Sequence, residues 1–79
     1  MARAIVRASI NGPSPNNKQQ ELRKVLANAG FRKIGTAAYE GRFPTSTDAF
    51  AAVQDGMDYL DALPAGYEID HLWVYLDRT

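Results

Sequence analysis

Residues 3–10 alternate between two faces, with Ala4, Val6, Ala8 and Ile10 on one and Arg3, Ile5, Arg7 and Ser9 on the other. A period of two with β-branched residues predicts a strand, which Asn11-Gly12-Pro13 breaks. Ser14-Pro15 reads as a helix start, a capping hydroxyl with proline in the first helical position. Leu22, Val25, Leu26 and Ala29 follow at helical spacing, and Gly30 suits a left-handed stop. Residues 31–43 hold Phe31, Ile34, Thr36, Tyr39 and Phe43. They read either as one long bent strand or as two strands joined near Gly35-Thr36, with Gly41 as a bulge or kink.

Thr45-Ser46-Thr47-Asp48 offers several caps for a second helix, whose predicted buried stripe is Phe50, Val53, Met57 and Leu60. Gly56 in mid-helix costs about 1 kcal/mol relative to alanine. Close approach of another backbone would account for it, and so would simple tolerance. Leu63-Pro64 ends the helix. Residues 67–76 read as the last strand. Leu72, Val74 and Leu76 share one face, and Tyr67, Ile69, His71, Trp73 and Tyr75 share the other. Both faces are apolar, which predicts a central or doubly covered strand.

The order β-α-β(β)-α-β with right-handed crossovers puts both helices on one side of one antiparallel sheet. The expected fold is therefore α+β, a single ferredoxin-like domain over residues 1–79. Ala4, Val6, Ala8, Ile10, Leu72, Val74 and Leu76 would face the helices. Arg3, Ile5 and Arg7, beside Ile69, His71, Trp73 and Tyr75, would face outward, and nothing in the sequence supplies a third layer over them. Such a patch marks an interface. The expected partner is a second copy, with Ile5, Ile69, His71, Trp73 and Tyr75 at the contact and Arg3 and Arg7 at its rim or paired with acids of that copy. A 79-residue chain without cysteine buries only about 60% of its unfolded surface and has no disulfide to help it, so self-association is a natural source of extra stability. The second reading of the same face is nucleic-acid binding, with aromatics beside arginines stacking bases.

Composition narrows the chemistry. No cysteine and only one histidine, His71, exclude thiolate and multi-histidine metal sites; no metal or other cofactor is expected. Met1-Ala2-Arg3 has no apolar stretch behind it, so no signal peptide or membrane span is expected, and the expected location is the cytoplasm. The net charge is zero, yet residues 1–42 carry +6 and residues 43–79 carry −6. That asymmetry allows a basic face built from Arg7, Arg23, Lys24, Arg32, Lys33 and Arg42, and an acidic second helix carrying Asp48, Asp55, Asp58 and Asp61. It is equally consistent with two solvated helix faces of opposite sign. No phosphate loop, nucleophile elbow or acid–base pair is present, and His71 reads as a packed or interface residue. Asp70 and Asp77 read as polar strand-end residues.

Four short strings carry a family resemblance. They are Ala29-Gly30-Phe31, Gly35-Thr36-Ala37-Ala38-Tyr39-Glu40-Gly41, Ala52-Val53-Gln54-Asp55 and Ile69-Asp70-His71-Leu72. With the order of elements, they make the chain resemble virulence-associated protein D (VapD) and, more distantly, CRISPR-associated protein two. The resemblance implies a small ferredoxin-like homodimer that handles nucleic acid, with endoribonuclease activity and toxin-like roles. In that family the nuclease carboxylate ends the first strand, where this chain has Ser9. The serine of the second-strand motif is matched by Ala37, with Thr36 adjacent. A serine neither holds a divalent ion nor acts as a base at neutral pH, so the expectation is a non-catalytic homodimer that binds RNA, DNA or a protein partner. The alternatives are a residual endoribonuclease of toxin–antitoxin type, with Ser9, Asn11 and Thr36 lining its cleft, and an accessory or inhibitory protein of a mobile element.

Overall fold

The alternating residues Ala2–Asn11 form strand β1. The other elements follow as α1 (Pro15–Asn28), β2 (Phe31–Gly35), β3 (Ala38–Phe43), α2 (Ser46–Asp61) and β4 (Glu68–Arg78) in the computed structural model, which describes residues 1–78. The four strands make one antiparallel sheet in the order β2-β3-β1-β4, with both helices against one face, the ferredoxin-like arrangement. Ala2, Ala4, Val6, Ala8 and Ile10 of β1 are buried beneath Leu22 and Leu26 of α1 and Ala49, Ala52, Val53 and Leu60 of α2. Three of these five β1 residues are alanines, which keeps this inner face shallow. Among the described residues no helix is long and apolar enough to cross a membrane.

Residues 31–43 are a hairpin. Gly35 pairs with Ala38 across the two-residue turn Thr36-Ala37, and Ala37 sits at φ 55°, in the left-handed region. The irregularity in this ladder lies between Lys33 and Gly35, at Ile34. Gly41 is neither bulge nor kink; it pairs in register with Ala4 and Phe31, and a Cβ there would stand 2.7 Å from the Phe43 ring. α1 begins at Pro15 as expected, but the Ser14 hydroxyl caps nothing; the Ser14 N–H instead donates to the Tyr67 hydroxyl at 3.2 Å. Thr45 caps α2, its Oγ1 accepting from the Asp48 N–H at 3.1 Å.

Two expectations about α2 are corrected. Phe50 is 61% exposed, because the buried face runs through Ala49, Ala52, Val53, Gly56 and Leu60. Gly56 is explained by a side chain rather than a backbone: a Cβ there would stand 2.8 Å from Leu26 Cδ2. Gly56 and Tyr59 mark the flank of α2 that meets α1. At 100° per residue, Phe50 and Met57 lie on the opposite flank, above the β4 side of the sheet.

β4 is an edge strand, not a central one. Leu72, Val74 and Leu76 are opposite Ala8, Val6 and Ala4, so they lie on the helical side as expected, yet they keep 44%, 39% and 37% of their exposure. α2 covers the middle of the sheet and leaves this margin open. The β1–β4 ladder also slips by one residue between Ser9 and Ile10, with Asp70 as the extra residue. That slip places Ile69 opposite the buried Ile10, on the helical side, so it does not share a face with His71, Trp73 and Tyr75.

Candidate functional site

The end of β1, the Thr36-Ala37 turn and the first half of α1 enclose a cleft of about 420 Å³. Its polar lining comes from Ser9, Asn16, Gln19, Gln20, Arg23, Lys33, Thr36 and Tyr39, and among the described residues no carboxylate lines it. Each element places its side chains for a local reason. Arg23 follows the buried Leu22 on α1 and so stands on the rim of the helix. Lys33 lies opposite Tyr39, on the helical side of β2. Gln19 turns inward, its Nε2 donating to the Ala8 carbonyl at 2.7 Å and to the Tyr39 hydroxyl at 3.3 Å. The bonds of Gln19 tie α1 to the sheet and fix the cleft floor. α1 opens onto this space at Pro15 and Asn16, with no acidic residue in its first turn. Its free N–H groups and helix dipole therefore add to the positive field of Arg23 and Lys33.

The six basic residues of the expected basic face divide into three groups. Arg23 and Lys33 meet at the cleft. Arg7, Arg32 and Arg42 belong to the outer sheet face, and Lys24 stands exposed on α1 away from the cleft lining. Of the three candidates at the first-strand end, Ser9 and Thr36 line the cleft; Asn11 pairs with Glu68 beyond it and does not.

The outer face is half apolar and half ionic. Ile5, Arg7, Ile34, His71 and Trp73 line a shallow groove of about 490 Å³, and the rings of Trp73 and Tyr75 stack with centroids 5.7 Å apart and planes 3° from parallel. Toward the other end a row of alternating charge crosses all four strands. Arg3 donates to both carboxylate oxygens of Asp77, at 3.2 Å and 2.7 Å, and also approaches Glu40 at 3.9 Å, while Arg32 reaches Glu40 at 3.4 Å. Arg3 is thus paired within its own chain, and Asp77 is its partner rather than an unattached strand-end acid. The hydrogen bonds from Arg3 hold the Asp77 carboxyl below the usual carboxylate range. Between the helices, the Tyr59 hydroxyl donates to Glu21 at 2.6 Å and likewise holds that carboxyl low.

One contact, at the Asp70 bulge, has no signature in the sequence. Ser9 Oγ donates to Asp70 Oδ2 at 3.2 Å, so a carboxylate does stand at the end of the first strand, supplied by the neighbouring strand. Only the one-residue slip brings it there, and no local signal in the sequence marks that slip. Among the described residues no three histidine, aspartate or glutamate side chains gather as a metal site. Compared with known proteins, the chain matches no family model, no curated protein and no solved structure.

Proposed function

We propose that this chain is a non-catalytic, homodimeric, VapD-like domain of the cytoplasm that binds a nucleic-acid backbone through the α1 cleft. The observation that carries the reading is the cleft lining: two cations, three side-chain amides, two hydroxyl-bearing residues at the strand end and turn, and no acid. Phosphate oxygens accept hydrogen bonds from guanidinium, ammonium, amide and backbone N–H groups alike, and all four kinds of donor converge here. α2, which packs beside α1 on the same face of the sheet, carries Asp48, Asp55, Asp58 and Asp61, and its negative sign disfavours a polyanion over that helix. The test is binding of a fluorescent single-stranded RNA between 50 and 200 mM salt. Affinity is expected to fall steeply with salt, and Arg23→Ala and Lys33→Ala are each expected to reduce the slope by about 0.7. Binding insensitive to salt and to both substitutions would refute this function.

A second reading, a residual ribonuclease, is favoured by the Ser9–Asp70 contact, which restores a carboxylate to the strand end. It requires RNA cleavage by the purified chain that disappears in both Asp70→Asn and Ser9→Ala. Absence of cleavage with and without magnesium defeats it.

A further inference from the structure

The two edges of the sheet differ sharply. β2 spans only Phe31–Gly35, carries Arg32 and Lys33, and is interrupted at Ile34; short length, charge and irregularity are the devices that keep an edge from pairing. β4 has none of these along its middle. Leu72-Trp73-Val74-Tyr75-Leu76 is an unbroken apolar run on an eleven-residue edge strand, exposed on both faces.

The hydrogen-bond phase of the sheet says which groups of that edge are free. The Ala8 N–H donates to the Ala37 carbonyl, so the even residues of β1 bond toward β3 and the odd ones toward β4. Trp73 and Tyr75, opposite Arg7 and Ile5, therefore spend their N–H and C=O groups on β1. The N–H and C=O groups of Leu72, Val74 and Leu76 point outward, without strand partners.

We infer that β4 pairs antiparallel with β4 of a second copy, with Val74 on the two-fold axis. This rests on the homodimer proposed above and specifies how that dimer is built. The strand is self-complementary about Val74. Leu72 falls opposite the second copy's Leu76, and Trp73 opposite its Tyr75. His71 falls opposite its Asp77, and Asp70 reaches its Arg78. The three outward-facing residues provide about six backbone hydrogen bonds across the seam. Trp73 and Tyr75 occupy the non-hydrogen-bonded positions, where side chains come closest, so the stack seen within one chain continues into the next. On the helical side the open margin of Leu72, Val74 and Leu76 meets its counterpart, roofed by the Phe50 and Met57 flanks of the two α2 helices. The neighbouring two-fold registers fail: centring on Trp73 sets Asp70 against Leu76, and centring on Tyr75 sets Trp73 against Asp77.

Single cysteines test the register, because the chain has none of its own. Val74→Cys is expected to oxidise to a covalent dimer, its two Cα atoms being about 5.5 Å apart in a hydrogen-bonded pair and within disulfide reach. Leu72→Cys alone is expected not to link, since the two copies of residue 72 lie about 13 Å apart along the strands, but to link to Leu76→Cys when the two proteins are mixed. Val74→Pro removes only an outward N–H, so it is expected to keep the circular dichroism of the parent and sediment as a monomer. A chain that sediments as a dimer while Ile5→Cys links and Val74→Cys does not is paired face to face. That result overturns this register and leaves the homodimer standing. A parent chain that is monomeric at about 50 µM overturns both.

Discussion

Arg3 and Asp77 face each other across the β1–β4 ladder, the guanidinium forking onto both carboxylate oxygens at 3.2 and 2.7 Å. The arrangement ties the first strand to the last and holds the Asp77 carboxyl below its usual range. A carboxyl lowered in the folded state stabilises the fold at every pH above its unfolded value, and that contribution disappears as pH falls through the folded value. Stability is therefore expected to drop on acidification below about pH 4, with Glu21, lowered by Tyr59, adding to the same limb. Asp77→Asn is expected to be less stable than the parent at pH 7 and to lose less on going to pH 3. Thermal midpoints at the two pH values decide it; parallel losses in parent and variant would mean the pair is energetically silent.

Arg23 and Lys24 are neighbours in sequence and differ in position: Arg23 lines the cleft and Lys24 does not. Arg23→Ala is expected to weaken RNA binding about tenfold at 100 mM salt, Lys24→Ala by less than about threefold. Equal effects would show that overall charge, not the cleft, attracts the polyanion.

Gly56 lies where a methyl group would stand 2.8 Å from Leu26 Cδ2, and Leu26 is fully buried. Alanine gains about 1 kcal/mol of helix propensity, while forcing a buried leucine aside costs about 1–3 kcal/mol. Gly56→Ala is expected to destabilise by about 1 kcal/mol, and Leu26→Val is expected to cost less in the Gly56→Ala background than in the parent. Urea titration of the four proteins measures the coupling; a stabilised Gly56→Ala contradicts the packing described.

Ala37 holds φ 55° at the β2–β3 turn, where its carbonyl accepts from the Ala8 N–H at 3.1 Å. A side chain in that conformation costs about 1 kcal/mol, so Ala37→Gly is expected to stabilise by about 0.5–1 kcal/mol. A lower urea midpoint would contradict it.

The element order was legible because each boundary has a local cause. Pro15 at the start of α1, the Thr45 cap and Gly30 at φ 108° are read from neighbouring residues alone. The place of β4 was not local. Apolar residues on both faces of a strand mean that both faces lose water, and a sheet centre and an intermolecular seam satisfy that equally. The βαββαβ plan itself puts β1 and β3 in the middle, so the order of elements already held the correction. Phe50 differs from its pattern for a related reason: its spacing matches the core stripe, but the helix is rotated so that Ala49 and Val53, not Phe50, point down. The cleft was half legible. Ser9 and Thr36 could be placed at the strand end and turn, whereas Arg23 and Lys33 converge there only through the packing of α1 beside β2. The Arg3–Asp77 and Ser9–Asp70 contacts span 74 and 61 residues of chain, and no spacing rule reaches that far.

The extra residue at Asp70 also sets a length. A foreign strand laid along β4 from Asp77 keeps step with its alternation as far as His71, then at Asp70 meets a backbone whose inside and outside have been exchanged. Growth of a ribbon along that rim is halted at the same spot in every molecule. The margin therefore rewards one short, finite match and discourages the endless stacking that so greasy a border would otherwise invite.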